Sequence, residues 1–198
     1  MSRRLPLLAT LIVAAAVLTM IGLGIWQLQR AGEKKALLTR YEAAQGLPAI
    51  AFPMIPIGED LPLFRQASGH CLRVISRRTG AGENLKGETG FTHIADCGSG
   101  AEGPGMAVEL GWSKDPNAGA GWKGGEVRGI IAPDSRSRMR LVSSTGLGGL
   151  EASKPPSPAS IPNNHLSYAI QWFLFALLAA LIYGLALRKR WSQEEATP

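Results

Sequence analysis

Leu5 to Leu28 reads LPLLATLIVAAAVLTMIGLGIWQL, and Leu166 to Leu187 reads LSYAIQWFLFALLAALIYGLAL. Neither stretch contains a charged residue. As an α-helix with a rise of about 1.5 Å per residue, each stretch is longer than the hydrocarbon core of a bilayer, which is about 30 Å thick. Because lipid offers no hydrogen-bond partners, a segment that crosses it must satisfy its own backbone groups. The two stretches therefore predict two transmembrane helices, one near each end of the chain.

A cleaved signal peptide is the alternative for the first stretch. A basic start precedes the apolar residues, and Gly22 and Gly24 are small enough to stand before a cleavage site. The apolar stretch is, however, longer than the core of about 7–15 residues that signal peptides use. Its length favours an uncleaved anchor.

Much of the positive charge of the chain lies beside the apolar stretches. Only 18% of the residues are charged, with a net charge of +6, whereas soluble proteins have about 25%. Basic residues beside a span bind anionic membrane lipid. No basic stripe interleaved with aromatic residues lies between the spans, so nucleic-acid binding is not expected. The cluster Arg188–Arg190 predicts cytoplasmic termini and an extracytoplasmic central domain.

The middle of the chain predicts a small β-rich domain. Glycine-rich turns separate short strand candidates, a spacing typical of an antiparallel domain. These strands are Cys71–Ser76, Phe91–Asp96, Met106–Gly111, Val127–Ile131 and Met139–Val142. The predicted organisation is a cytoplasmic N-terminus (1–4), a transmembrane helix (5–28), a juxtamembrane helix (29–45), the extracytoplasmic β-rich domain (46–145), a Gly/Pro-rich linker (146–164), a second transmembrane helix (165–187) and a cytoplasmic C-terminus (188–198). The fold class is thus a two-helix transmembrane protein with an α+β domain between the spans.

The two cysteines leave three interpretations open. If Cys71–Ser76 and Phe91–Asp96 form a hairpin centred on Asn84, Cys71 lies opposite Cys97 and Val74 opposite Ile94, close enough for a disulfide. A second interpretation adds His70 and His93 to make a copper or zinc site. The third is a pair of reduced, unconnected thiols. The disulfide is the favoured interpretation.

The junctions between the spans and the domain carry a family resemblance. The end of the first span reads LGIWQLQR from Leu23 to Arg30, and the second span begins PNNHLSYAIQWF from Pro162 to Phe173. Val108 to Trp112 reads VELGW. These segments resemble the surfeit locus protein 1 family of cytochrome c oxidase assembly factors. The resemblance implies a bacterial inner-membrane protein whose central domain is periplasmic.

The resemblance also implies a cofactor and partners. Members are implicated in handling haem a for the large subunit of cytochrome c oxidase, with haem a synthase as a possible donor. The family's proposed ligand to the haem iron matches His165. Haem-binding candidates around it are Tyr168 and Trp172 on the second helix and Trp26, Gln27 and Arg30 on the first. The same aromatic residues also suit an interfacial belt, and the small residues of both helices suit helix packing.

Two other functions compete with haem delivery. A scaffold without a cofactor would stabilise the oxidase subunit through its helices and its β domain. An enzyme is not expected, because the sequence has no GxSxG, CxxC, HExxH or P-loop motif.

Overall fold

The computed structural model describes residues 6–54, 58, 60–98, 100 and 105–196, which fall into two compact units. One unit contains Met1–Leu37 and Pro162–Pro198, and the other is Leu38–Ile161. The predicted N-terminal segment 1–4 lies outside the described residues.

The first unit is built on two long apolar helices. Helix α1 is Leu7–Gln45 and helix α2 is His165–Ala196. Their most apolar windows have mean hydropathies of 2.4 and 2.1, and only 6% of each window is buried. Both are long and apolar enough to cross a membrane, as the sequence predicts, which fits a membrane protein. The predicted juxtamembrane segment 29–45 continues α1 without a break.

Within the described residues, the second unit contains a seven-stranded mixed sheet. The strands are β1 Ile50–Ala51, β2 Gln66–Cys71, β3 Arg73–Glu83, β4 Thr89–Gly98, β5 Met106–Ser113, β6 Gly125–Asp134 and β7 Arg138–Ser143. Their order is β1-β2-β6-β7-β5-β4-β3. The predicted antiparallel arrangement is wrong in two places, because β1 pairs with β2 and β5 with β7 in parallel. The class, two spans and a β-rich domain, is confirmed.

The predicted strand Cys71–Ser76 is wrong because the chain changes strands at Leu72. β2 ends at Cys71 and β3 begins at Arg73, although these strands lie near opposite ends of the strand order. The sheet must therefore curl, and the Leu72 N–H donates to the Gly98 carbonyl at 3.2 Å. At this corner a disulfide joins Cys71 of β2 to Cys97 of β4, with Cα atoms 5.3 Å apart.

The predicted register of the β3–β4 hairpin is also wrong. Cys97 lies opposite Val74, and Ile94 lies opposite Arg78. The reason is the turn: Asn84 begins it instead of forming its centre. The side-chain oxygen of Asn84 accepts the N–H groups of Lys86 and Glu88, each at 3.0 Å. The predicted pairing of the cysteines across a hairpin therefore gives way to a bridge between β2 and β4.

The Trp112 side chain is buried against the sheet, and glycines leave space for its ring. It is 2% exposed, and its indole N–H donates to the Gly82 carbonyl at 3.2 Å. A Cβ on Gly90 would lie 2.6 Å from the indole ring. Gly111 has φ 152°, and a Cβ there would lie 2.3 Å from the Glu151 carbonyl. The Gly-Trp pair of the family resemblance thus organises the packing of the domain.

The predicted linker 146–164 is in large part a structural element of the domain. Leu150 belongs to the hydrophobic core. Glu151 and Trp112 exchange two backbone hydrogen bonds, at 2.7 and 3.1 Å, and Ser153 bridges to Asn84. A short 3-10 helix, Pro158–Ser160, precedes α2. The glycines and prolines of this segment shape turns against the sheet, and do not form a free tether.

A charged network lies at the end of β6. Arg78 donates to both carboxylate oxygens of Asp134 at 2.8 Å. Arg140 contacts Asp134 at 3.4 Å and donates to Glu109 at 2.8 Å. The Asp134 side chain is 1% exposed. Burial by itself raises the pKa of Asp134, but the hydrogen bonds from Arg78 and from the N–H groups of Ser137 and Arg136 outweigh it, so the pKa is lowered.

His93 predicts a pH dependence of domain stability. It is 5% exposed, and burial lowers its pKa more than the carbonyl and charge of Asp115 raise it. The unfolded chain therefore binds a proton at a higher pH than the folded chain, so stability falls as the pH drops below about 6.5. We expect the β4 amides to exchange faster at pH 5.5 than the intrinsic rate change predicts, and His93→Gln to reduce this excess. An unchanged pH dependence in the variant would contradict the assignment.

Candidate functional site

A polar contact joins the two helices of the first unit. His165 is the first residue of α2, and its Nδ1 lies 2.7 Å from Oε1 of Gln27 on α1. An amide oxygen only accepts hydrogen bonds, so Nδ1 carries the proton in this contact. In the neutral ring, Nε2 then keeps its lone pair. Metal-binding histidines are commonly oriented in this way, by a hydrogen bond through the nitrogen that does not bind the metal.

Small residues let the helices approach closely beside this contact. Ala169 and Ala176 of α2 are 0% and 4% exposed. A Cβ on Gly24 would lie 2.7 Å from the ring of Phe173. Thr10 and Tyr183 form a second polar contact farther along the antiparallel pair. Such packing fixes the two helices relative to each other and so fixes the position of His165.

A depression of about 440 Å³ lies beside His165. It carries the charges of Arg30, Lys34 and Glu33. Its lining is Trp26, Arg30, Glu33, Lys34, Leu37 and His165. Arg30 donates to Glu33 at 2.8 Å and lies 5.7 Å from the centre of the Trp26 ring. The Arg30–Glu33 pair is more than half exposed on both sides, so an incoming anion can replace Glu33 at small cost.

The structure brings together only some of the predicted site residues. His165, Gln27, Trp26 and Arg30 lie at or beside the depression. Tyr168 is 52% exposed and does not line it. Trp172 packs edge-on against Phe175, 6.2 Å between ring centres, and does not line it either. These two aromatic residues stay predictions from the family resemblance.

Three lining residues were missed by the sequence reasoning. Glu33, Lys34 and Leu37 continue the face of α1 that begins at Trp26 and Arg30, at spacings of three and four residues. This helical periodicity was available in the sequence. The predicted haem-binding residues of the first helix nevertheless end at Arg30, since the residues after it are predicted only to continue the helix out of the membrane.

The alternative metal site of the domain is contradicted. Cys71 and Cys97 are joined to each other. His70 lies 2.6 Å from Glu126 on the exposed face of β2, while His93 is buried in β4. Among the residues that the structure describes, no group of three His, Cys, Asp or Glu side chains is arranged to hold a metal ion. The alternative with two reduced thiols disagrees with the structure as well.

Comparison with known families decides the identity of the chain. The model of the SURF1 family matches residues 14–177. The chain belongs to the SURF1 family. The predicted resemblance is thereby confirmed. A search of the curated proteins gives no match.

The SURF1 match covers the parts of both helices that form the candidate site. It begins within α1, ends within α2 and includes Gln27, His165 and the whole β domain. The SURF1 family is associated with cytochrome c oxidase assembly. It is a family of assembly factors and not of catalysts.

Proposed function

We propose that this SURF1 protein binds haem a through His165 and delivers it to the large subunit of cytochrome c oxidase. The observation that carries the proposal is the Gln27–His165 hydrogen bond, which orients the imidazole and leaves Nε2 with a lone pair. We place the protein in a bacterial inner membrane, with both termini cytoplasmic and the domain periplasmic. Haem a synthase is the proposed donor.

The donor set around His165 fits a haem. A neutral imidazole is a normal axial ligand of haem iron. Haem propionates are carboxylates, and Arg30 and Lys34 lie in the same depression as His165. The flat indole of Trp26 offers an apolar surface beside them. Bound haem a supplies the redox-active iron that the oxidase requires.

A single histidine suits transfer better than storage. The chain has three histidines, and His70 and His93 belong to the β domain. His165 is thus the one histidine of the helical unit, within α1 and α2 as described. A site that supplies one axial ligand releases its cargo more readily than a site that supplies two. The role is accordingly that of a chaperone, and it requires no catalysis.

The test compares His165→Gln with the wild type, both purified in detergent from cells that make haem a. A glutamine side chain retains hydrogen-bonding groups for Gln27 but does not ligate haem iron. We expect the wild type to carry haem a and the variant to lose at least nine-tenths of it, measured by absorption and pigment extraction. Gln27→Leu is expected to lower haem content less, because it keeps the ligand but frees its ring.

Two outcomes would contradict haem binding by His165. Equal haem in wild type and His165→Gln would dismiss His165 as the ligand. Haem in neither protein, together with copurification of the oxidase large subunit from a strain that lacks haem a, would favour a scaffold. The half-exposed rings of Trp26 and Tyr168, which are open to contact with another protein, are the observation that supports this second candidate.

A further inference from the structure

The outer edge of β3 is open along its central residues. β3 is the last strand in the order, with β4 as its neighbour. The Asn84 N–H bonds to the Glu88 carbonyl, and bonded pairs alternate along an antiparallel ladder. Arg77, Thr79 and Ala81 therefore point their backbone N–H and C=O groups away from β4.

At the Glu83 end of this edge, another segment of the chain is already hydrogen-bonded to β3. Glu83 is the next outward-pointing residue after Ala81, and its carbonyl accepts the N–H of Lys154 at 2.8 Å. Among the described residues, no strand continues this pairing back along Arg77–Ala81. The open stretch has the geometry that an extended peptide uses when it adds to a sheet.

Positive charge lies beside the open edge. A shallow depression of about 540 Å³ is lined by Arg73, Arg77 and Lys123, together with the half-exposed or exposed residues Val74, Ile75 and Ser76. The Arg77 guanidinium donates to the carbonyls of Gly119 and Trp122 and thus faces no carboxylate. Within the described part of the chain, Arg73 and Lys123 have no ion-pair partner.

A second hollow lies on the same stretch of strand. It measures about 310 Å³ and includes Arg77, Thr79, His93 and Asn117 in its lining. His93 is 95% buried, being 5% exposed, and its Nε2 has no hydrogen-bond partner among the described residues. The hollow thus combines a basic side chain with a buried polar atom that is left unsatisfied, a combination that a bound polar side chain would relieve.

We propose that the outer edge of β3 is a docking site for an extended acidic segment of another protein. The segment would add a strand beside Arg77–Ala81, with its acidic side chains toward Arg73, Arg77 and Lys123. A second copy of this chain, pairing about Thr79, would place Arg77 opposite Ala81 and supply no carboxylate there, so it would leave the positive charge uncompensated. A lipid surface would satisfy the charge but not the row of backbone N–H and C=O groups.

Edge protection accounts for only some of these features. Natural edge strands are short or bulged, or carry charged side chains or proline, which prevent pairing. The charges of Arg73 and Arg77 protect the edge against a cationic segment but not against an acidic one. β3 is 11 residues long and contains no proline. Its irregularity lies between Val74 and Ser76, which leaves Arg77–Ala81 regular.

The test uses a fluorescein-labelled ten-residue peptide of alternating Glu and Thr, with a Lys/Thr peptide for comparison. Fluorescence anisotropy on the full chain in detergent measures binding. We expect the Glu peptide to bind at least tenfold tighter than the Lys peptide. Thr79→Pro removes an outward N–H and should weaken binding at least tenfold, while Thr79→Val, which keeps that N–H, should bind like wild type. Arg73→Ser with Lys123→Ser should weaken binding at least fivefold.

Three results would overturn the proposal. They are equal affinity for both peptides, wild-type affinity in Thr79→Pro, and a wild-type dimer in sedimentation that Thr79→Pro converts to a monomer. The loss of peptide binding in Thr79→Pro supports the proposal only if the amide protection of β4 and β5 is unchanged. If that protection is lost, the weaker binding is due to unfolding, and the Arg73→Ser/Lys123→Ser variant decides whether the proposal stands. The site does not involve His165, so its failure would leave the haem proposal standing.

Discussion

Asp134→Asn is expected to lower the free energy of unfolding of the β domain by about 3 kcal/mol, because it leaves buried cationic groups without their carboxylate. Asp134 is the shared partner of Arg78 and Arg140 and also accepts two backbone N–H groups of its turn. An asparagine keeps an acceptor for the turn but loses the charge. Amide exchange of β6 and β7 in the full chain measures the change.

The matched control for Asp134 is Asp96→Asn. Asp96 lies 3.8 Å from Arg78 and its side chain is 29% exposed, so its loss should cost well under half as much. The pKa of Asp134 is lowered below its ordinary value of 3.8. Its contribution is therefore complete above about pH 4 and lost as the pH falls further. Equal effects of the two variants, or an unchanged acid response in Asp134→Asn, would show that the network does not stabilise the fold.

Removal of the disulfide is expected to cost about 3.5 kcal/mol. Cys71 and Cys97 are 26 residues apart, and a loop of this length restricts the unfolded chain by about that amount in the loop-entropy description. The bond also holds β2 against β4, which are not neighbours in the sheet. Cys71→Ala with Cys97→Ala should therefore speed amide exchange in β2 and β4.

Reduction provides the control for the disulfide. Treating the wild type with dithiothreitol should reproduce the effect of the double alanine variant, while the variant itself should not respond to the reductant. Both thiol sites are about 1% exposed, so reduction is expected to be slow and to need partial unfolding. A variant as stable as wild type would show that the core alone closes the sheet.

The sequence predicts those parts of the fold that one strong physical requirement determines. Long uncharged stretches have few alternatives to a membrane helix, because lipid gives the backbone no partners. Of the two predicted stretches, Leu7–Leu28 and Leu166–Leu187 lie within α1 and α2, while Pro6 precedes α1 and Leu5 lies outside the described residues. The core strands around Val108, Val127 and Leu141 are also found, since β-branched and apolar residues cluster there.

Register and strand direction depend on contacts that lie far apart in sequence. The turn at Asn84 shifts the register of the β3–β4 pairing. This turn is held by hydrogen bonds to Lys86 and Glu88, which leave no apolar pattern in the sequence. The parallel pairing of β5 with β7 requires a crossover through β6. Leu72 separates two strands that looked like one, because both sides of it are rich in strand-forming residues.

The candidate site, too, could be predicted only in part from the sequence. His165 was identified through the segment around it, and Gln27 through its place near the end of the first span. The hydrogen bond between them could not be derived, because it depends on how α1 and α2 are rotated against each other. The exposure of Tyr168 and the packing of Trp172 against Phe175 depend on the same rotation.

The two cysteines allow the side of the membrane on which the β domain lies to be measured. They are the only cysteines of the chain, and a disulfide persists on the oxidising side of a membrane but not in a reducing cytoplasm. A maleimide reagent applied to denatured, unreduced protein would thus label none of the molecules whose domain has been exported and oxidised. It would label both thiols of any molecule whose domain remained in the cytoplasm. The labelled fraction would therefore measure the efficiency of export without a fused tag.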